Sequence, residues 1–469
     1  MKKHDKQVFK TAHYSTVRII MLTFLAVIML GTMLLMLPFS TASGEWCPLL
    51  TALFTAATSV CVTGLVVVET ASYWSFFGKI VILLLIQIGG LSIVTLWARM
   101  MMLLRRRFSL RFHMLLRDYY NMDSLQGIFR FMKRALKGTL IAEGAGAALY
   151  GFVLIPRHGF LKGLWLSVFT SVSAFCNAGI DIFGPDSMVP FRSDLPMNLI
   201  TMLLIVLGGL GFFVWFDAAE AFRECLKKKI GIRGFFSRLH EHTKLVLTVT
   251  LILILSGTFL VYVGECRNPA TLGGMRFGEG LLASLFQSVT FRTAGFSTLP
   301  QQDLTPFTCF AGLFYMMIGG SPAGTAGGIK TVTAAILIVS AVSYVRQKNE
   351  TVVFGRTVSH QLIARAIAIT LVSTCMTALF IGLLLLTNDV PFLSAVYEVF
   401  SATGTVGLSR ALTPSLNPAG QLIIILAMYS GRIAPISMLM FFITGTGNGD
   451  ALRYPDGRFL MGCRNQEAR

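Results

Sequence analysis

A ring of backbone carbonyls can replace the hydration shell of a cation when short strands turn their C=O groups toward one axis. Four segments of this sequence have the make-up for that chemistry. They are Val60-Cys61-Val62-Thr63-Gly64, Phe175-Cys176-Asn177-Ala178-Gly179, Phe291-Arg292-Thr293-Ala294-Gly295 and Thr403-Gly404-Thr405-Val406-Gly407. Glycine tolerates the unusual φ/ψ values that aim carbonyls inward, and its small size lets strands approach. The carbonyls expected to coordinate are those of Val62, Thr63, Asn177, Ala178, Thr293, Ala294, Thr405 and Val406. The side chains of Thr63, Asn177, Thr293 and Thr405 either bond to the surrounding protein or face the ion. Arg292 is expected to be structural, because a cation does not coordinate a cation. One such unit would read as small-residue packing between membrane helices. Four in phase read as four walls of one path.

The bulk composition agrees with a membrane setting. Of 469 residues, 54% are hydrophobic and 13% charged, against about 25% charged in soluble domains. Runs such as Ile19–Ser40, Ile80–Trp97, Leu199–Phe216 and Leu245–Gly264 are long enough for a hydrocarbon core roughly 30 Å thick. The first run is too long for a cleavable signal and lacks its small-residue site. The net charge of +18 is concentrated in residues 1–18, 99–137, 223–244, 346–365 and 446–469. More acidic connections lie between them, the pattern that sets basic loops on the cytoplasmic side. Arg105-Arg106-Arg107 and Lys227-Lys228-Lys229 therefore read as loop charges and not as a nucleic-acid patch. Eight cysteines without paired spacing support neither a disulfide framework nor a zinc site.

If basic clusters mark the cytoplasm, the fold is an all-α polytopic membrane protein of four tandem membrane–pore loop–membrane repeats. Eight transmembrane helices and four re-entrant helices then surround a central pseudo-fourfold pore. The outward spans are predicted near 17–39, 135–156, 243–264 and 360–386. The inward spans are predicted near 73–104, 196–225, 306–345 and 417–445. Short helices at Cys47–Ser59, Leu161–Ala174, Phe277–Thr290 and Pro391–Ala402 lead into the four units. They are too short to span, and their negative C-terminal ends would favour a cation in the cavity. Non-helical backbone at membrane depth belongs where it lines water or is buried. The predicted organisation is a cytoplasmic segment 1–16, then repeats at 17–104, 105–225, 226–345 and 346–445, then a cytoplasmic tail at 446–469. Repeats of one orientation disfavour an inverted-repeat transporter.

Two features lie below the four units in this scheme. Five glycines and Pro322 within Gly319–Gly328 predict a broken helix, since each glycine costs about 1 kcal/mol of helix stability; a simple kink is the plainer reading. Arg432 puts a charge into an apolar stretch, where it faces a cavity or partner or snorkels to a membrane end. Lys330 could hold the glycine run by pairing with a carboxylate, with Glu143 and Asp217 as candidates.

The stretches Thr58–Leu65, Ser173–Ile180, Phe291–Thr298, Ser401–Ser409, Gly319–Thr331 and Gly431–Ser437 together resemble the Trk/Ktr/HKT superfamily of potassium transporters. The resemblance covers essentially the whole chain and is closest to a Ktr-type, or a short Trk-type, membrane subunit. It implies potassium uptake, with the four units as selectivity filter and the loop 319–328 as an intramembrane gate. Gate residues would be Gly319, Gly320, Gly324, Gly327, Gly328, Lys330 and Arg432, the arginine projecting into the pore. It also implies K+ as the transported ion, with Na+ as an alternative, and glycine at Gly64 leans toward K+. The motif around Arg432 carries Ala434 where the family usually has glycine. No nucleotide-binding domain is visible, because Gly445–Gly449 follows no strand. The implied partners are therefore a second membrane subunit, forming a homodimer, and a cytosolic nucleotide-binding regulatory ring. The setting would be the lipid bilayer of a bacterial inner membrane, with both termini cytoplasmic. The competing function is Na+- or H+-coupled secondary transport of potassium, for which Glu143 and Glu398 are the candidate carboxylates. Enzyme signatures such as HExxH and GxSxG are absent.

Overall fold

The computed structural model describes residues 2–91, 128–228 and 232–433. Most of the predicted basic stretch 99–137, the later parts of the inward spans 73–104 and 417–445, and the tail 446–469 lie outside the described residues. Among the described residues the architecture is helical, with a single two-stranded antiparallel ribbon pairing Val352–Val353 with Arg356–Thr357.

In chain order the main helices are α1 (Lys2–Met36), α2 (Leu49–Cys61), α3 (Phe76–Leu91), α4 (Ile128–His158), α5 (Phe160–Cys176), α6 (Leu195–Leu210), α7 (Phe212–Lys228) and α8 (Ile232–Arg238). They continue with α9 (Glu241–Glu265), α10 (Phe277–Thr290), α11 (Pro306–Met317), α12 (Thr331–Val345), α13 (His360–Thr387), α14 (Phe392–Gly404) and α15 (Pro418–Ile433). Four stretches among the described residues are long and apolar enough to cross a membrane: Arg18–Met36, Arg130–His158, Glu241–Glu265 and His360–Thr387. Their surfaces carry exposed Leu, Ile and Phe, such as Leu30, Phe152, Phe259 and Leu371. Such faces are costly in water and suited to lipid, and the chain is an integral membrane protein.

Two of the four inward spans depart from the single crossings that the sequence suggests. α3 and α15 are followed only to Leu91 and Ile433. The segment near 196–225 is not one helix: α6 and α7 meet at 100°. The break is at Gly211, whose φ of +87° is open to glycine but strained for other residues. A Cβ there would strike the Pro322 carbonyl, and the next amide, Phe212 N, donates to Ala323 O at 3.2 Å. The bend is thus made by a neighbouring loop and not by local sequence alone. In the segment near 306–345, helix stops at Met317 and resumes at Thr331. The glycine run between them is held by a parallel bridge between Ile318 and Ile329.

The core lies where the short helices α2, α5, α10 and α14 are enclosed by the longer ones. Phe54, Phe169, Phe286 and Tyr397, one from each, are fully buried. Each short helix therefore has the environment of a core element, although it is amphipathic in length and position.

Candidate ion pathway

The four glycine-ended units follow directly from the C-termini of α2, α5, α10 and α14. Three helices end in the same cap. Val62 N donates to Ser59 O and Thr63 N to Thr58 O; Asn177 and Ala178 repeat this with Ala174 and Ser173, and Thr405 and Val406 with Ala402 and Ser401. This is the Schellman pairing, which normally places glycine at the left-handed position. Here that position is occupied by Val62 (φ +55°), Asn177 (φ +59°) and Thr405 (φ +52°). In the third unit a single bond from Ala294 N to Thr290 O closes the turn, with Thr293 at φ +62°. A β-branched residue in the left-handed region is strained, and such outliers persist where the surroundings over-determine them.

Helix hydroxyls then fasten the strands. Thr58 Oγ1 accepts from Gly64 N at 3.0 Å and Ser401 Oγ from Gly407 N at 3.0 Å. Ser173 Oγ donates to Ile180 O and Thr290 Oγ1 to Phe296 O, both at 2.5 Å.

The four glycines meet in chain order around one axis. A Cβ on Gly64 would strike the Ala178 carbonyl, one on Gly179 the Ala294 carbonyl, one on Gly295 the Val406 carbonyl, and one on Gly407 the Thr63 carbonyl. Each contact joins a glycine to the residue just before the next unit's glycine, and the last closes on the first. All four glycines have positive φ, at +102°, +64°, +81° and +94°. Four equivalent carbonyls, of Thr63, Ala178, Ala294 and Val406, therefore lie around one axis. The structure brings together all four predicted units. Of the eight carbonyls predicted to coordinate, these four have their position fixed by those contacts. The hydroxyls of Thr63, Thr293 and Thr405 and the Asn177 amide nitrogen are buried without a protein partner.

A second set of glycines carries the units from behind, and sequence reading missed it. A Cβ on Gly89, Gly208 or Gly431 would strike the carbonyl of Val60, Phe175 or Thr403. Each carbonyl lies four residues before its unit's glycine. The signal available was a Gly-Gly or Gly-Arg pair at Gly89, Gly208 and Gly431, which is commonplace in membrane helices. The third unit lacks this support, and its place in the chain is where the helix is broken.

Beneath the units sits the loop 318–330. Ser321 N and Thr325 N donate to Gly209 O and Gly208 O, at 2.8 and 3.1 Å. Thr325 Oγ1 lies 3.1 Å from both Phe175 O and Asn177 Oδ1. A Cβ on Gly327 would strike the Thr405 hydroxyl, and one on Gly319 the Gly327 carbonyl; Gly320 and Gly324 press on Gly209, and Gly328 on Gly319. Arg432 reaches the same loop, with Nη1 to Thr325 O and Nη2 to Gly89 O, each at 2.5 Å. Lys330 pairs with no carboxylate among the described residues; its Nζ donates to Ala326 O at 2.7 Å, while Glu143 is bonded to Gln87 at 3.1 Å and Asp217 lies 2.6 Å from the His240 ring. Arg292 is buried, lining a gap with Asn177, Thr250 and Gly320.

Behind the fourth unit, Glu398 is fully buried. Its Oε1 accepts from Ser409 Oγ at 2.8 Å and from Thr413 Oγ1, tying α14 to the segment after Gly407. Beside it, Gln287 and Gln301 exchange side-chain bonds of 2.8 and 3.0 Å, with Tyr397 donating to Gln301.

The family model for TrkH, a cation transport protein, matches residues 1–449. The chain belongs to the TrkH family. Among curated relatives, the Ktr system potassium uptake protein B of Bacillus subtilis is 37% identical over 98% of this chain and 100% of its own length. The potassium/sodium uptake protein NtpJ of Enterococcus hirae is 34% identical over 96% of this chain and 97% of its own. In fold, this TrkH-family chain matches the crystal structure of the potassium transporter TrkH from Vibrio parahaemolyticus. The TM-score is 0.72, with 17% identity, over 92% of this chain and 85% of that one. The family and these relatives are transporters.

Proposed function

We propose that this chain is the ion-translocating membrane subunit of a Ktr/Trk-type potassium uptake system in a bacterial inner membrane. The observation that carries this reading is the closed ring of Gly64, Gly179, Gly295 and Gly407 with the neighbouring carbonyls of Thr63, Ala178, Ala294 and Val406. In this reading the four strands, with the carbonyls of Val62, Asn177, Thr293 and Thr405 as a second layer, dehydrate and select K+. Carbonyl rings do so by substituting for the hydration shell. The negative ends of four short helices favour a cation at that level.

The loop 318–330 is the gate in this proposal, and Arg432 is its latch and an electrostatic barrier. The eight-helix, four-repeat architecture with cytoplasmic termini, pairing into a homodimer, and control by a cytosolic nucleotide-binding ring complete the assembly. Relatives named as parts of a Ktr system support a second component. The coupled alternative, potassium moved with Na+ or H+, would need a titratable carboxylate on the path. Glu143 accepts from Gln87 and from Cys176 of the second unit, and Glu398 from Ser409 and Thr413, so both carboxylates are committed to side-chain bonds.

The test is the reversal potential of purified protein in planar bilayers, with K+ gradients at graded Na+ and pH. Uncoupled conduction predicts a potential that follows the K+ gradient alone. A shift in proportion to the Na+ or H+ gradient contradicts it.

A further inference from the structure

A groove of about 570 Å³ lies between the first turns of α4 and one face of α7, away from the glycine ring. α4 contributes Arg134, Lys137 and Ile141, and α7 contributes Phe216, Arg223 and Lys227. On each helix these lie three or four residues apart or multiples of it, so each contributes one continuous face. Two carboxylates also line the groove, Glu220 and Glu224. Glu224 is engaged by Arg238 at 3.0 Å, while none of the four groove cations has an ion-pair partner among the described residues. Four cations therefore face one uncommitted carboxylate.

The position of the groove defines its ligand further. Leu140 and Ile141, a turn along α4 from Lys137, are 59% and 60% exposed in the first half of the membrane-crossing stretch Arg130–His158. α7 leaves α6 at 100°, so it runs crosswise to α6. It presents exposed Phe222 and Leu226 on a flank beside its cationic face. A helix with apolar and basic faces side by side is suited to the headgroup region. Basic pockets between membrane helices on the cytoplasmic side suit anionic lipid headgroups. A solvated basic face would lack the apolar floor of Ile141 and Phe216.

We infer that this groove binds the phosphodiester headgroup of an anionic phospholipid from the basic-side leaflet, with its glycerol and upper acyl chain against Ile141 and Phe216. The site has a direct line to the loop 318–330. Phe212, the first residue of α7, donates its amide to Ala323 O, and Gly211 packs on Pro322. A lipid that straps α7 to α4 thereby fixes two loop contacts. This regulatory consequence rests on the gating role proposed above; the binding itself does not.

The experiment separates the two. Full-length protein in mild detergent is titrated with short-chain phosphatidylglycerol or phosphatidylcholine and read by native mass spectrometry. Wild type is expected to retain phosphatidylglycerol about tenfold better than phosphatidylcholine. The groove variant Arg134→Gln/Lys137→Gln/Arg223→Gln/Lys227→Gln is expected to lose that preference. A control variant, Arg346→Gln/Lys348→Gln, keeps it. The double variant Lys137→Gln/Arg223→Gln, the milder change if the quadruple variant fails to fold, is expected to fall between. Equal retention by wild type and the double variant would overturn the site. Competition by inorganic phosphate as strong as by lipid would overturn the lipid assignment in favour of a free-anion site. Unchanged lipid binding with loss of a cytosolic protein partner would overturn it in favour of a protein interface. In the second arm, rubidium flux in vesicles with and without phosphatidylglycerol is compared for wild type and groove variant. Lipid binding without any effect on flux would remove the regulatory consequence and leave the binding site standing.

Discussion

Arg432 and Thr325 are joined at 2.5 Å through the arginine Nη1 and the threonine carbonyl, and Thr325 in turn contacts Asn177 of the second unit at 3.1 Å. One residue of the loop thus touches both the strand above it and the cation beside it. The other guanidinium nitrogen is anchored on Gly89 O, so Arg432 bridges the loop to α3. Arginine suits this role because its planar fork addresses two acceptors at once.

Replacing Arg432 should release the loop. Hydrogen bonds from a charged donor contribute about 1.5–3 kcal/mol each. Arg432→Ala should therefore raise rubidium flux through a partner-free protein by about tenfold or more. Arg432→Lys, which keeps charge but loses the fork, should fall between. Equal flux in all three proteins, measured in proteoliposomes, contradicts a latch.

The supporting glycines make a prediction about packing. Gly89→Ala, Gly208→Ala and Gly431→Ala each drive a methyl into a backbone carbonyl, and overpacking of this kind costs about 1–3 kcal/mol. Gly382, in the last third of α13, has open space beside it, so Gly382→Ala should be neutral or stabilising by up to about 1 kcal/mol. Thermal unfolding followed by fluorescence-detected size exclusion separates the two groups. A drop in all four proteins alike contradicts the close-contact reading.

The limits of the sequence are clearest at these glycines and at the bend. The short helix Phe277–Thr290 has the bounds read from the sequence, because an apolar stretch there is delimited by charged and turn-forming residues. Gly211 sits in an equally apolar run, and only the neighbouring loop's carbonyls at Pro322 and Ala323 turn it into a break. Gly89, Gly208 and Gly431 look like ordinary small residues until the carbonyls behind the four units are located. Lys330 was expected to seek a carboxylate, yet the nearest acceptor is Ala326 O, four residues away on its own loop. Tertiary contacts of this sort have no periodicity to read.

Glu398 is predicted to hold the segment after the fourth unit in position. Glu398→Gln retains an acceptor for Ser409 and Thr413 and should lower stability by less than about 1 kcal/mol. Glu398→Ala leaves two hydroxyls unpaired and should cost about 2–4 kcal/mol and lower the K+/Na+ permeability ratio. Two variants with the same unfolding temperature and the same ratio would contradict a positioning role.

Asp181, in the connection after the second unit, provides a pH test. Burial pushes its carboxyl up to about 6, and the nearby Glu69 charge acts in the same direction. Bonds from Ser187 Oγ, at 2.5 Å, and Phe183 N, at 3.2 Å, oppose the shift without cancelling it. The folded protein therefore binds the proton more tightly than the unfolded chain, and stability falls as pH rises from about 4 through about 6. Asp181→Asn should remove that part of the pH dependence of the unfolding temperature. A slope unchanged by the substitution contradicts the assignment.

Carbonyl selection by the four units is tested most directly at Gly407, whose Cβ would meet Thr63 O and Gly64 Cα across the axis. The measurement is the K+/Na+ permeability ratio of wild type and Gly407→Ser in the same planar bilayers. If the ring selects the ion, the serine protein shows a ratio lowered by about tenfold, equivalent to about 1.4 kcal/mol of lost discrimination, with Na+ still carried. A Gly407→Ser protein that conducts with the wild-type ratio contradicts it.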